Sequence, residues 1–187
     1  MAITLDGTAG INTSGSLTTS SSLTTGTGAV YNSIQSGTAV ASTSGTSIDF
    51  TSIPSWVKRI TVMFNVVSTS GTANLLVQAG TSGGVVSTGY NSNSIRTGGS
   101  TLTGAASTAG IILPSNIATW ILSGQVILAN HSGNIWTAFG SLAESATTNG
   151  MFTSGGVSLS GTLDRIRITT VGGTDTFDAG SINILYE

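Results

Sequence analysis

The chain lacks cysteine and contains little proline, histidine or charge. Its 187 residues include no cysteine, two prolines and one histidine, and 6% of them are charged, where soluble proteins usually carry about 25%. Without cysteine there is no disulfide framework and no thiol chemistry. One histidine without cysteine does not make a zinc site. We therefore expect neither a metal nor a cofactor.

The small number of charged residues also limits which partners the chain can bind. The formal net charge is −2, and the five basic residues are too few to neutralise a stretch of phosphates, so nucleic acid is not an expected partner. The longest apolar stretches, such as 60–67, are far shorter than a membrane span. Residues 1–10 show neither the basic nor the apolar region of an export signal. An extracellular-looking composition without a signal suggests release by cell lysis.

The remaining composition favours β-structure. Hydrophobic residues make up 39% of the chain and glycine supplies 26 residues, so a core can form between frequent turns. Apolar side chains alternate with others at Ile60, Val62, Phe64 and Val66, a period of two that is typical of half-buried strands. The same alternation recurs at Ile48 and Phe50, at Ile166 and Ile168, and at Ile182, Ile184 and Tyr186, and less cleanly at Leu75 and Val77, which flank Leu76.

Turn signals divide the chain into short strands. The tripeptide Ser-Gly-Thr begins at residues 36, 44, 70 and 160, each time before a strand-like segment. Short strands separated by glycine-rich turns predict an all-β fold, an antiparallel β-sandwich of the jelly-roll kind, over residues 37–187. Residues 1–36 are rich in Ser and Thr and repeat Ser-Leu-Thr-Thr at 16 and 22. We predict that they form an extended N-terminal arm for anchoring or oligomerisation.

The weakly patterned segment 80–107 is predicted to be a long loop and is the best candidate for a recognition loop or an intersubunit arm. Carbohydrate sites pair an aromatic face with amide and hydroxyl groups. The candidate ligand-binding residues are therefore Tyr90, Asn91, Asn93 and Arg96, although a solvated tyrosine without a ligand is the simpler interpretation. Trp56, Trp120 and Trp136 are expected in the core.

No catalytic residue is predicted. Nothing in the spacing of the seven acidic residues selects a pair suited to glycoside hydrolysis. Asp175 and Asp178 lie in a glycine-rich stretch, where capping of a turn is expected. His131 is expected in a hairpin turn. Ser82 lies at the centre of a Gly-x-Ser-x-Gly match, but no helical pattern follows it, so the match is interpreted as chance.

Both ends of the chain resemble bacteriophage structural proteins. The opening ITLDGTAGI, residues 3–11, is similar to the start of many phage tail-fibre proteins. The stretch SIDFTSIPSWVKRITVMF, residues 47–64, resembles a module of phage structural proteins, and so do SGTLDRIRITT at 160–170 and DTFDAGSINILYE at 175–187. The resemblance implies localisation in the virion and assembly as a homotrimer with other virion proteins. It makes Ile3, Leu5, Asp6 and Ile11 the candidate virion anchor.

The leading hypothesis is therefore a tail-fibre component that attaches to the virion or to the host surface, where a glycan is the candidate ligand. The alternative is a capsid decoration or cement protein that stabilises the phage head. A glycan-degrading tailspike would need a carboxylate pair in a groove, and the missing export signal argues against a bacterial adhesin.

Overall fold

A computed structural model describes residues 23–24, 30–31, 34–98, 101–115, 117–144 and 149–187. The chain divides into two compact units, residues 1–33 and 34–187. In the first unit, β1 (Leu23–Thr24) pairs antiparallel with β2 (Val30–Tyr31). The proposed anchor residues Ile3, Leu5, Asp6 and Ile11 lie outside the described residues, as does most of the predicted arm.

The second unit consists of strands, and none of the described residues is helical. Accordingly, no described helix is long and apolar enough to cross a membrane. The strands are β3 (Gln35–Ser36), β4 (Val40–Ala41), β5 (Ser47–Phe50), β6 (Arg59–Thr69), β7 (Leu75–Thr81), β8 (Gly84–Val85), β9 (Asn91–Gly98), β10 (Thr101–Ser107), β11 (Ile111–Leu113), β12 (Leu122–Ser132), β13 (Ile135–Glu144), β14 (Gly150–Ser158), β15 (Arg165–Thr170) and β16 (Phe177–Tyr186).

These strands form two antiparallel sheets, which confirms the predicted all-β sandwich. The large sheet has the order β10-β9-β14-β13-β12-β6-β16-β3, with β4 also paired to β16. The small sheet has the order β11-β7-β15-β5, with β8 also paired to β7. The chain crosses repeatedly from one sheet to the other, as β5, β6 and β7 show in succession, which is typical of sandwich topologies.

One hydrophobic core lies between the sheets because alternate side chains of both point inward. On β13, for example, Trp136 and Leu142 are buried while Phe139 is exposed. The predicted alternation is confirmed at Ile48 and Phe50. It is also confirmed on β15, where Ile166 and Ile168 are buried, and on β16, where Ile182 and Ile184 are buried. Of the three tryptophans, Trp120 and Trp136 are buried, and Trp56 packs at the edge of the core beside Tyr186.

The predicted alternation was wrong at Val66. This side chain is exposed while Val67 is buried, because β6 and β16 shift register here. Val66 has a φ of 51°, and Gly180 on the facing strand has a φ of 87°. A β-bulge of this kind inserts one residue and moves the following side chains to the other face.

The prediction of a long loop over 80–107 was also wrong. β9 and β10 occupy most of this segment and pair along seven residues, from Ser92↔Ser107 to Gly98↔Thr101. The inward side chains of β9 are serines, since Ser92 and Ser94 are buried. Because serine alternates here with asparagine, the strand has no apolar periodicity to reveal it.

Candidate interaction surface

Of the four proposed ligand-binding residues, Tyr90, Asn91 and Asn93 line one open depression of about 320 Å³, and Arg96 does not. Tyr90 is only 3% exposed, and its hydroxyl is held by the backbone of Ala79 on β7. The Ala79 N–H donates to the Tyr90 oxygen at 2.7 Å, and the Tyr90 hydroxyl donates to the Ala79 carbonyl at 3.2 Å. Tyr90 therefore joins the two sheets, and the interpretation as a solvated loop residue was wrong.

The other three candidates point to opposite faces of β9. Asn91 and Asn93 are exposed on the outer face of the large sheet. Arg96 lies on the other side, with its guanidinium carbon 4.3 Å from the ring centre of Trp120. A cation over a buried indole is a structural contact. Of the four, Asn91 and Asn93 are the two that expose their side chains on one face.

Asp175, Ser82 and His131 lie in or beside turns, whereas Asp178 lies within β16. Asp175 accepts a hydrogen bond from the Ala73 N–H at 2.8 Å, so it caps the backbone as expected. Ser82 lies in the turn between β7 and β8 and is followed by strand. His131 is exposed near the end of β12, beside the hairpin to β13. Within the described ranges, no three His, Cys, Asp or Glu side chains gather in a way that could hold a metal ion.

The outer face of the large sheet instead carries an apolar surface that sequence reasoning missed. Phe139 is 60% exposed, Phe152 50% and Ile95 49%. Phe152 lies directly opposite Ile95, and Phe139 directly opposite Ile127. Leu102, 71% exposed on β10, lies opposite Thr97, the next outward residue of β9 after Ile95. Exposed apolar side chains in one contiguous patch mark an interaction site more often than scattered ones do.

Strand register arranges this surface in two adjacent rows, which we call the outer rows. Neither outer row contains a charged residue. Each crosses seven neighbouring strands of the large sheet, in the order β10-β9-β14-β13-β12-β6-β16. The first consists of Gly104, Ile95, Phe152, Ser141, Gln125, Met63 and Asn183. The second consists of Ala106, Asn93, Ser154, Phe139, Ile127, Thr61 and Leu185.

A shallow groove of about 250 Å³ lies within the outer rows. Phe139, Phe152 and Ile95 form its apolar walls, and Asn93 and Ser154 supply polar groups beside them. The sequence signal for this groove was the pair Phe139 on β13 and Phe152 on β14, whose side chains point outward from the sheet. Apolar residues on the outward half of a strand look the same in sequence as core residues.

Comparison with known proteins gives no match for this chain. It matches no protein-family model, no curated protein and no solved structure.

Proposed function

We propose that this chain is a non-enzymatic structural protein of a bacteriophage virion, a tail-fibre component that attaches to the virion or to the host surface. The observation that carries the proposal is the groove in the uncharged outer rows, where two solvent-exposed phenylalanines lie beside an amide and a hydroxyl. The resemblance of both ends of the chain to phage structural proteins supports the same assignment and implies assembly as a homotrimer with other virion proteins.

The groove has the chemistry of a weak glycan site. Phe139 and Phe152 offer apolar ring surface to the C–H side of a sugar, and Asn93 and Ser154 offer hydrogen bonds to its hydroxyls. A groove this shallow gives low affinity in one copy. Several copies on one particle raise the overall affinity, because each later contact forms at high effective concentration.

The lining of the groove supports a binding role over hydrolysis. Glycoside hydrolysis needs two carboxyl groups placed on either side of the bond that breaks. The residues that line the groove are apolar, hydroxyl or amide residues, and no carboxylate is among them. A sugar held there would meet no general acid.

The size of the outer face favours a second candidate, a capsid decoration protein. From Ile135 to Ala143 the outer face of β13 spans about 27 Å, and seven strands span about 29 Å. The face therefore covers roughly 800 Å², the area that each partner contributes to a standard protein–protein interface. At the margin on β6, Arg59 is paired with Glu187 at 2.9 Å. Such a face suits adhesion to another virion protein.

Density-gradient purification of particles tests virion membership. A lysate containing the full chain is fractionated, and each fraction is probed with an antibody against residues 37–187. We expect the chain to sediment with intact particles and to stay with them through a second gradient. A chain that remains at the top of the gradient overturns the proposal.

A further inference from the structure

We infer that β10 is a docking strand, and that two copies of this chain join edge to edge through antiparallel pairing of β10 with β10. The contact does not depend on where the chain lies in a particle, and it makes one continuous large sheet from two copies. It goes beyond the proposed function.

The other sheet edges in the described part of the chain are protected. β3 and β4 have two residues each, and so does β8. β11 has three residues and is followed by Pro114. β5 has four residues and carries Asp49, which is held by Arg167 at 2.7 Å. Short strands, proline and charge are the usual means by which proteins prevent pairing with another chain.

β10 has none of these protections. It is seven residues long, with the sequence Thr-Leu-Thr-Gly-Ala-Ala-Ser, and contains neither charge nor proline. It pairs with β9 without a register shift, so no bulge turns it away. It is the terminal strand of its sheet, and no described strand pairs with its far side. An uncharged, regular edge of this length is a template for another strand.

The side chains of β10 have no cover of their own. Five of the seven residues are exposed, and these come from both faces of the strand. Leu102 is the most exposed large apolar side chain in the described residues, at 71%. A strand added at this edge would shield Leu102 as well as the backbone groups of β10.

The sequence of β10 is complementary to itself around Gly104. A two-fold axis through this residue places Gly104 opposite the Gly104 of a second copy, with Thr103 opposite Ala105. It also places Leu102 opposite Ala106 and Thr101 opposite Ser107. Every pair joins a larger side chain to a smaller one or two small ones, and no charges face each other. The two-fold arrangement is the usual one for a homodimer contact.

The occupant that fits is therefore a second copy. A partner of average composition would bring about one charged residue in four to an edge that has no charge to match it. In this chain only 6% of the residues are charged. The apolar surface at Leu102, Ile95 and Phe152 would also continue from one copy into the next.

Single cysteine variants of the full chain test the pairing and its register, because the natural chain has no cysteine. In Gly104→Cys the two sulfur-bearing residues lie opposite each other, with Cα atoms about 5 Å apart, which is suitable for a disulfide. A side chain fits there, since an added Cβ would meet only the Ser94 carbonyl at 3.6 Å. In the control Leu102→Cys, the two positions lie about 14 Å apart and cannot be joined.

We expect Gly104→Cys to form a crosslinked pair under mild oxidation and Leu102→Cys to remain single. Sedimentation of the natural chain should give an even number of copies, two, or six if a three-fold assembly is also present. Ala105→Lys should halve that number. The control Asn91→Lys places the same charge at an exposed position of β9 and should leave the number unchanged. An odd number of copies, an unchanged mass for Ala105→Lys, or equal crosslinking of both cysteine variants overturns the inference.

Discussion

Phe152 on β14 lies directly opposite Ile95 on β9, and both side chains face solvent. Opposed side chains in a sheet have Cβ atoms about 5 Å apart, so the two form one continuous apolar surface. The neighbouring residues of the same row, Ser141 and Gly104, are uncharged. The binding function proposed here depends on this pair and on Phe139 beside it.

Loss of the groove aromatics should remove binding without unfolding the chain. We expect Phe139→Ala and Phe152→Ala each to weaken binding to host-surface polysaccharide at least about fivefold, because buried aromatic contacts contribute more than about 1 kcal/mol. Stability should change by no more than about 0.5 kcal/mol, as for other surface substitutions. Calorimetric titration measures the first quantity and urea unfolding the second.

Ile135→Ala is the matched control for these variants. Ile135 is exposed on the same face of the same strand as Phe139, but it does not line the groove. The control should bind as the natural chain does. Equal loss from all three variants would show that the groove is not the site.

Removal of the Tyr90 hydroxyl should destabilise the sandwich. Tyr90→Phe leaves the buried N–H of Ala79 without the partner it has at 2.7 Å. An unsatisfied buried donor costs about 1–3 kcal/mol. Urea unfolding should show this loss, whereas Tyr186→Phe, in a half-buried position on β16, should change stability much less. Equal stability of Tyr90→Phe and the natural chain would contradict the assigned role.

Stability should fall at alkaline pH because of the same residue. Burial raises the pKa of Tyr90 to about 12, from an ordinary value of 10.0, although its hydrogen bond with Ala79 acts in the opposite direction. The unfolded chain therefore loses the Tyr90 proton near pH 10, while the folded chain keeps it. The stabilisation is complete below pH 10 and is lost as the pH rises towards 12, by at most about 1.4 kcal/mol per pH unit.

Urea unfolding at a series of pH values from 8 to 12 measures this dependence. The natural chain should lose stability over the upper part of the range, and Tyr90→Phe should lose less over the same interval. Parallel curves for the two proteins would show that Tyr90 does not cause the alkaline loss.

Two glycines with similar backbone angles should respond differently to alanine. Gly180 has a φ of 87° and Gly172 a φ of 84°. A Cβ at Gly180 would collide with the carbonyl oxygens of Asn65 and Val66, whereas a Cβ at Gly172 meets nothing within 4 Å. Gly172→Ala should cost about 1–2 kcal/mol through backbone strain alone.

Gly180→Ala adds the steric collision in the bulge to that strain, and we expect a loss of about 3 kcal/mol or more. Thermal unfolding of the two variants measures the difference. Equal costs would mean that the bulge between β6 and β16 relaxes freely around a side chain.

The sandwich could be predicted from the sequence of those strands in which apolar residues alternate with polar ones, so that one face is apolar and the other polar. On β15, Ile166 and Ile168 alternate with Arg165, Arg167 and Thr169, and both isoleucines are buried. The same reasoning failed at Val66, because a bulge changes which face a residue occupies without altering the pattern of apolar residues. It failed at β9 because its buried residues are Ser92 and Ser94.

The groove could not be predicted for a related reason. Phe139 alternates with Ala138 and Gly140, and Phe152 follows Met151, so periodicity alone does not tell which half faces the core. The answer depends on which strands are neighbours, and sequence patterns do not encode that pairing. Tyr90 was wrongly predicted to be a solvated loop residue, because its neighbours Gly89 and Asn91 give no sign that its hydroxyl hydrogen-bonds to Ala79 of β7.

Immunogold labelling of purified particles, with antibody raised against residues 37–187, tests the proposed function most directly. We expect gold at the tail or its tip. Gold spread over the head would contradict the tail-fibre assignment and favour the decoration protein. Particles without gold would contradict a role in the virion altogether.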